Sequence, residues 1–148
     1  MCLRTEAAMK TLSRVATTFL CLTAAFVCAA CDHVSYRLDG PYELSAVDTR
    51  EDMSLRICRE GCAGDGLPGP TVYAAGFNAR YVAFARHPRT DRGVNRAITE
   101  YYYIIRTPNE ARGVTPKTLK GPFTQARFDE EKQRLGLPEF SVVLRDLE

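Results

Sequence analysis

From Val34 onward the chain alternates apolar and polar residues in short runs, separated by glycine, proline, asparagine and aspartate. That period of two predicts an antiparallel sheet. Val34–Leu38 and Tyr42–Val47 flank Asp39-Gly40, where glycine tolerates the positive φ of a tight hairpin. Pro41 cannot donate to a strand ladder, which points to an edge position for the second of these strands. Met53, Leu55 and Ile57 alternate with Ser54, Arg56 and Cys58, the pattern of a half-buried strand. Thr71–Phe77 and Arg80–Arg86 form a second hairpin about Asn78-Ala79. Glu100–Arg106 (EYYYIIR) carries aromatic and β-branched residues on both faces, so a central place in the sheet is expected. Two polar stretches, Arg86–Ala97 and Thr107–Pro122, read as long loops.

The period changes near the C-terminus. Gln125–Leu135 reads as a helix, capped by Thr124 and with Phe123 and Phe128 placed as a hydrophobic staple. Gly136 stands where a left-handed residue ends a helix, and Pro138 prevents its resumption. The apolar stripe is narrow, Phe128 and Leu135, so the helix should lie on the sheet. Phe140–Leu144 (FSVVL) returns as a last strand. The expected class is therefore α+β: a mainly antiparallel sheet of short hairpins with one C-terminal helix packed on it.

The N-terminal segment follows neither period. Val15–Ala30 (VATTFLCLTAAFVCAA) is uncharged, follows Lys10 and Arg14, and ends in small residues. Its 16 residues are short for a bilayer span, which needs about 20. A basic start, a short apolar run and a small-residue end describe a secretory signal helix over residues 1–30. Residues 31–148 then form a single extracytoplasmic domain, long enough for a core of its own.

Cys28-Ala29-Ala30-Cys31 resembles the lipobox of bacterial membrane lipoproteins. The resemblance implies that the Cys31 thiol carries diacylglyceryl, that the chain is cut before it, and that the new amine is acylated, palmitate-like chains holding the domain to the membrane. The position three before the cut, usually leucine in that family, is Cys28. The competing reading is an ordinary signal-peptidase cut after Ala30, leaving a soluble protein. Removing the signal leaves Cys31, Cys58 and Cys62, an odd number for an oxidising compartment. Lipidation of Cys31 would free Cys58 and Cys62 to pair. Each buried methylene is worth about 0.8 kcal/mol, and two or more chains hold stably. Asp32 resembles the inner-membrane retention signal of enteric lipoproteins. The segments Gly40-Pro41-Tyr42, Gly121-Pro122-Phe123 and Leu135-Gly136-Leu137-Pro138 give the domain a loose resemblance to small bacterial lipoprotein domains of unknown function. That likeness covers about residues 36 to 138 and transfers no functional residue.

Charge narrows the partners. The +2 of the whole chain belongs to the signal, and residues 31–148 carry 17 bases and 17 acids. A neutral domain with scattered charges argues against nucleic acid.

Cys58-Arg-Glu-Gly-Cys62 is the sharpest local feature. A three-residue loop with glycine suits a structural disulfide, with redox cycling or half a metal site as rival readings. A zinc site would need two more ligands, and only His33 and His87 are at hand. His87 beside either cysteine would make a thiol nucleophile; beside Pro88 in an arginine-rich loop it reads as a solvated surface residue. The stretch CAGDGLPGP lacks the spacing of a phosphate loop, and Asp65 lacks the later acids of a calcium loop. Asp48, Glu51 and Asp52 read as a solvated turn before an acid–base pair. Tyr101, Tyr102 and Tyr103 are candidates for a binding platform, although one face of a strand must pack the core. Arg86, Arg89, Arg92 and Arg96 are the candidate partner-binding residues, suited to an acidic partner or anionic headgroups. No cofactor, metal or catalytic residue is expected. The expected function is an envelope-tethered binding or accessory domain, in its more specific form a periplasmic inhibitor or immunity protein. The rival class is a small periplasmic enzyme, thiol-disulfide or hydrolytic.

Overall fold

The computed structural model describes residues 34–58, 67–108 and 117–148. They belong to one compact unit, His33–Glu148. Strands β1 (Val34–Arg37), β2 (Tyr42–Ala46) and β3 (Ser54–Ile57) form a three-stranded antiparallel sheet in the order β1-β2-β3. Five more strands form the larger sheet: β4 (Val72–Phe77), β5 (Tyr81–Arg86), β8 (Glu100–Ile105), β9 (Leu119–Phe123) and β10 (Val142–Val143). Their order is β10-β4-β5-β8-β9, antiparallel throughout. A ribbon of β6 (Arg89–Thr90) and β7 (Gly93–Val94) connects β5 to β8. Helix α1 (Gln125–Leu135) follows β9. The expected α+β class, with a C-terminal helix on a mainly antiparallel sheet, is what the chain adopts.

The two faces of the large sheet pack differently. Val82, Phe84, Tyr102 and Ile104 join Leu44, Met53 and Leu55 in the main core, where the two sheets meet. Phe84 and Tyr102 stack at 5.2 Å with their rings 6° apart. On the other face Ala83 and Tyr103 pack against Phe128 and Leu137 from the helix and its exit. Period-two alternation along β5 and β8 thus feeds two cores at once.

Local chemistry sets the element ends. Gly40 takes φ 61°, and the Leu38 and Tyr42 N–H groups close the hairpin onto the carbonyls of Tyr42 and Asp39. Thr124 accepts from the Arg127 N–H, and Gly136 ends α1 in the left-handed region. At Gly76 a Cβ would strike the Glu139 carbonyl, so only glycine lets residues 139–140 cross β4 there.

Four expectations change. Pro41 does not mark an edge: it precedes β2, the middle strand of its sheet. Its missing N–H lies outside the ladder, and its carbonyl accepts from the Cys58 N–H at 2.6 Å. β3 is buried more deeply than half, because Ser54 is buried as well as Leu55. The segment Arg86–Ala97 is not a plain loop but contains the β6–β7 ribbon. Thr107–Pro122 ends in β9, whose register with β8 slips between Tyr101 and Tyr103.

Candidate functional site

The arginine-rich segment folds back onto acids of its own chain. A 3-10 turn at Arg50–Asp52 is capped by Thr49, whose hydroxyl and N–H both reach Asp52. Arg89, on β6, is hydrogen-bonded and ion-paired to Asp52. Arg96 stands 3.7 Å from Glu51 and donates to the backbone carbonyls of Asp146 and Glu148. Arg50 grips Asp146 through two hydrogen bonds. The Arg89 guanidinium, helped by Thr49, holds the Asp52 carboxyl below the usual carboxylate range. Arg50 does the same for Asp146. The turn, the ribbon and the C-terminal residues are therefore knit into one cluster of alternating charge. Glu51 and Asp48 remain exposed, as a solvated turn requires.

Arg86 plays a different part. It leaves β5 beside Glu100 of β8, the two being register partners. Its Nε and Nη2 lie 2.9 and 2.8 Å from Glu100 Oε2, and its Nη1 donates to the Pro70 carbonyl. The Tyr102 hydroxyl donates to the same carboxylate oxygen at 2.9 Å, and the guanidinium sits over the Tyr102 ring. Burial, and then this hydrogen bond, push the Tyr102 hydroxyl above its ordinary value. Arg86 is only 15% exposed, so it braces the sheet rather than offering charge to a partner. Of the four candidate arginines, Arg92 at the ribbon tip makes no side-chain hydrogen bond or ion pair with a described residue.

His87 overturns the reading of a solvated surface residue. It is 4% exposed, because its backbone pairs in both directions with Thr71 and extends the β4–β5 ladder inward. Its Nδ1 lies 2.8 Å from the Ile98 carbonyl, and its ring stacks on Tyr73 at 4.6 Å. Its Nε2 is buried with no hydrogen-bond partner. Burial, followed by the hydrogen-bonded neighbour Tyr73, pushes the Tyr101 hydroxyl up to about 12.

The tyrosine triplet is not a platform. Tyr102 and Tyr103 are each 5% exposed, on opposite faces of β8, and Tyr101 stacks on Phe128 and Phe140. Both faces are covered because β8 lies between the main core and the helix.

Glu131, which is not among the candidate residues of the sequence, is buried on α1. It pairs with Arg127 and Arg134 and accepts from the Tyr103 hydroxyl at 3.3 Å. Its place three residues from both Phe128 and Arg134 is the only hint the sequence carries.

Cys58 follows β3, and Cys31, Cys62, His33 and Asp65 lie outside the described residues. The Cys58–Cys62 pairing and the lipidation site therefore stand as expectations. Among the described residues no group of three or more His, Cys, Asp or Glu side chains is arranged to hold a metal ion. Nor is any helix there long and apolar enough to cross a membrane. The chain matches no protein-family model, no curated protein and no solved structure.

Proposed function

We propose that this chain is a bacterial envelope lipoprotein, anchored through Cys31, whose β-rich domain is a non-catalytic binding or accessory module. The observation that carries this reading is the junction Ala29-Ala30-Cys31 at the end of an uncharged run. Cysteine parity supports it, since an acylated Cys31 leaves an even pair. The compact unit also begins at His33, so a cut before Cys31 would remove none of its strands. The Asp32 cue favours the inner membrane, with the domain facing the periplasm.

A binding role suits a domain whose ionisable side chains are mostly committed to one another. The Glu100–Arg86–Tyr102 and Glu131–Arg127–Arg134 groups are satisfied within the fold, the arrangement of structural ion pairs. The ribbon tip at Arg92 is the surface we assign to a partner, an acidic envelope protein. The inhibitor or immunity role is the specific form of this proposal.

The test is the intact mass of the protein extracted from membranes without reductant. A chain starting at Cys31, carrying acyl mass and two hydrogens short, is the expected result. An unacylated chain would refute the anchor. Two free thiols at Cys58 and Cys62 would reopen a thiol-disulfide enzyme.

A further inference from the structure

We infer that the domain meets the bilayer end-on, through the β2–β3 turn and the base of the β6–β7 ribbon, with Val47 and Ile98 at the lipid surface. The inference rests on the proposed anchor at Cys31 and adds the face that this anchor turns to the membrane.

Named contacts give the domain two ends. Val34 pairs with Ala46, so β1 begins where β2 stops. The turn that follows β2 holds Thr49 and the 3-10 residues Arg50–Asp52. Arg50 donates to the Tyr36 hydroxyl at 3.5 Å and to Asp146 at 2.9 Å. Arg89 is paired with Asp52, and Arg96 with Glu51. The start of β4 is bound to the same place: the Val72 N–H donates to the Met53 carbonyl at 2.8 Å, and the Thr71 hydroxyl to the Glu51 carbonyl. The start of β1, the β2–β3 turn, the ribbon base and the C-terminal tail therefore share one end.

The other end is tied just as firmly. Arg106, at the exit of β8, lies 2.6 Å from Asp39 of the β1–β2 hairpin and donates to the Asn78 carbonyl at 2.9 Å. The Asn78 side chain in turn donates to the Gly136 carbonyl at 2.9 Å. Strand β4 runs from one end to the other, its 6 residues spanning about 17 Å.

Chain length decides which end the anchor holds. Three residue steps separate Cys31 from Val34, a reach of at most about 11 Å. An acylated Cys31 thus holds the Val34 end beside the headgroups. The end with Asp39, Asn78 and Arg106 stands a strand length farther out.

The surface of the Val34 end suits that place. Val47 is 44% exposed and Ile98 48%, the two most exposed large apolar side chains among the described residues. Val47 opens the β2–β3 turn, and Ile98 lies two residues beyond Arg96, its carbonyl held by His87. Apolar side chains at the tethered end gain by leaving water for the bilayer surface. Ion pairs neutralise Arg50, Arg89 and Arg96, which leaves little net field to repel anionic headgroups. Arg92, at the ribbon tip, is carried on the same end, so the acidic partner assigned to it is met beside the membrane.

Paramagnetic broadening tests this on the full chain, extracted with its acyl groups and placed in phosphatidylcholine–phosphatidylglycerol nanodiscs with nitroxide-labelled headgroups. The Val47, Arg92 and Ile98 amides should broaden roughly fivefold or more beyond those of Gly40 and Asn78, because the effect falls with the sixth power of distance across about 17 Å. Val47→Ser with Ile98→Ser should weaken the broadening at Arg92 and leave the Tm unchanged, since both side chains are exposed. The intact mass of the same sample separates the anchor from the orientation. A chain without acyl mass sinks both together. An acylated chain whose two ends broaden alike, or whose Gly40 and Asn78 amides broaden more, overturns the orientation alone. Undiminished broadening at Arg92 in the double variant overturns the bilayer contact of Val47 and Ile98. The wild-type comparison of the two ends stands even if that variant folds poorly.

Discussion

Arg50 Nε donates to Asp146 Oδ2 at 2.5 Å and its Nη2 to Oδ1 at 2.9 Å, a two-pronged clasp between residues 96 apart in sequence. Through it the turn between β2 and β3 of the small sheet holds the tail that follows β10, the edge strand of the large one. Leu147 lies one residue beyond Asp146 and is 2% exposed, so the clasp and a buried leucine anchor the same tail.

Acid should loosen this arrangement. Asp146, Asp52, Asp39 and Glu131 are held below the ordinary carboxylate range, chiefly by Arg50, Arg89, Arg106 and Arg134. A lowered folded value means the stabilisation is complete above the ordinary value and is lost as pH falls through the folded one. The Tm should thus hold from pH 7 to about 5 and drop steeply below about pH 4, where unfolded carboxylates take up protons. Circular dichroism melts at pH 7, 5 and 3 check this. A flat profile down to pH 3 would contradict it.

The arginines should separate by role. Glu100→Ala leaves Arg86 and the Tyr102 hydroxyl without their shared acceptor, costing roughly 1–3 kcal/mol in urea unfolding. Arg92→Glu should leave stability within about 0.5 kcal/mol while removing capture of an acidic partner. If Arg92→Glu proves the more destabilising of the two, the assignment of these arginines is wrong.

Phe84 is fully buried and stacked on Tyr102 between the two sheets. Phe84→Ala should cost about 3–5 kcal/mol, from lost transfer energy and the cavity left behind. Denaturant midpoints measure it. A loss under about 1 kcal/mol would mean that the sheets do not pack there.

Gly76→Ala sets a methyl group against the Glu139 backbone. The crossing segment must move, at a cost of about 1–3 kcal/mol for overpacking. Exchange of the Leu144 N–H, which bonds to the Tyr73 carbonyl at 2.7 Å, should quicken as β10 lifts from β4.

Cys58→Ser with Cys62→Ser should lower stability by about 2 kcal/mol, the worth of closing a small loop. An unchanged midpoint would count against the bridge.

Features set by neighbours in the chain were legible in the sequence. The ends of α1 follow from Thr124 and Gly136, because a cap is a hydrogen bond three residues long and a left-handed stop is one residue's φ. The hairpins at Asp39-Gly40 and Asn78-Ala79 follow likewise, since turn chemistry and alternation are local. Part of the main core was also readable, as Met53, Leu55 and Ile57 sit on one alternating face. What joins distant segments was decided only by the tertiary structure. β9 was hidden because Leu119–Phe123 (LKGPF) has weak strand propensity, and pairing with β8 makes it a strand. Asp52, 37 residues from Arg89, turns an apparent basic patch into a neutral cluster. His87 reads as polar surface, yet the ladder with Thr71 and the ring of Tyr73 bury it. Periodicity and turn residues act over a few residues. Burial and charge pairing depend on which strands lie side by side, and that order is a property of the whole fold.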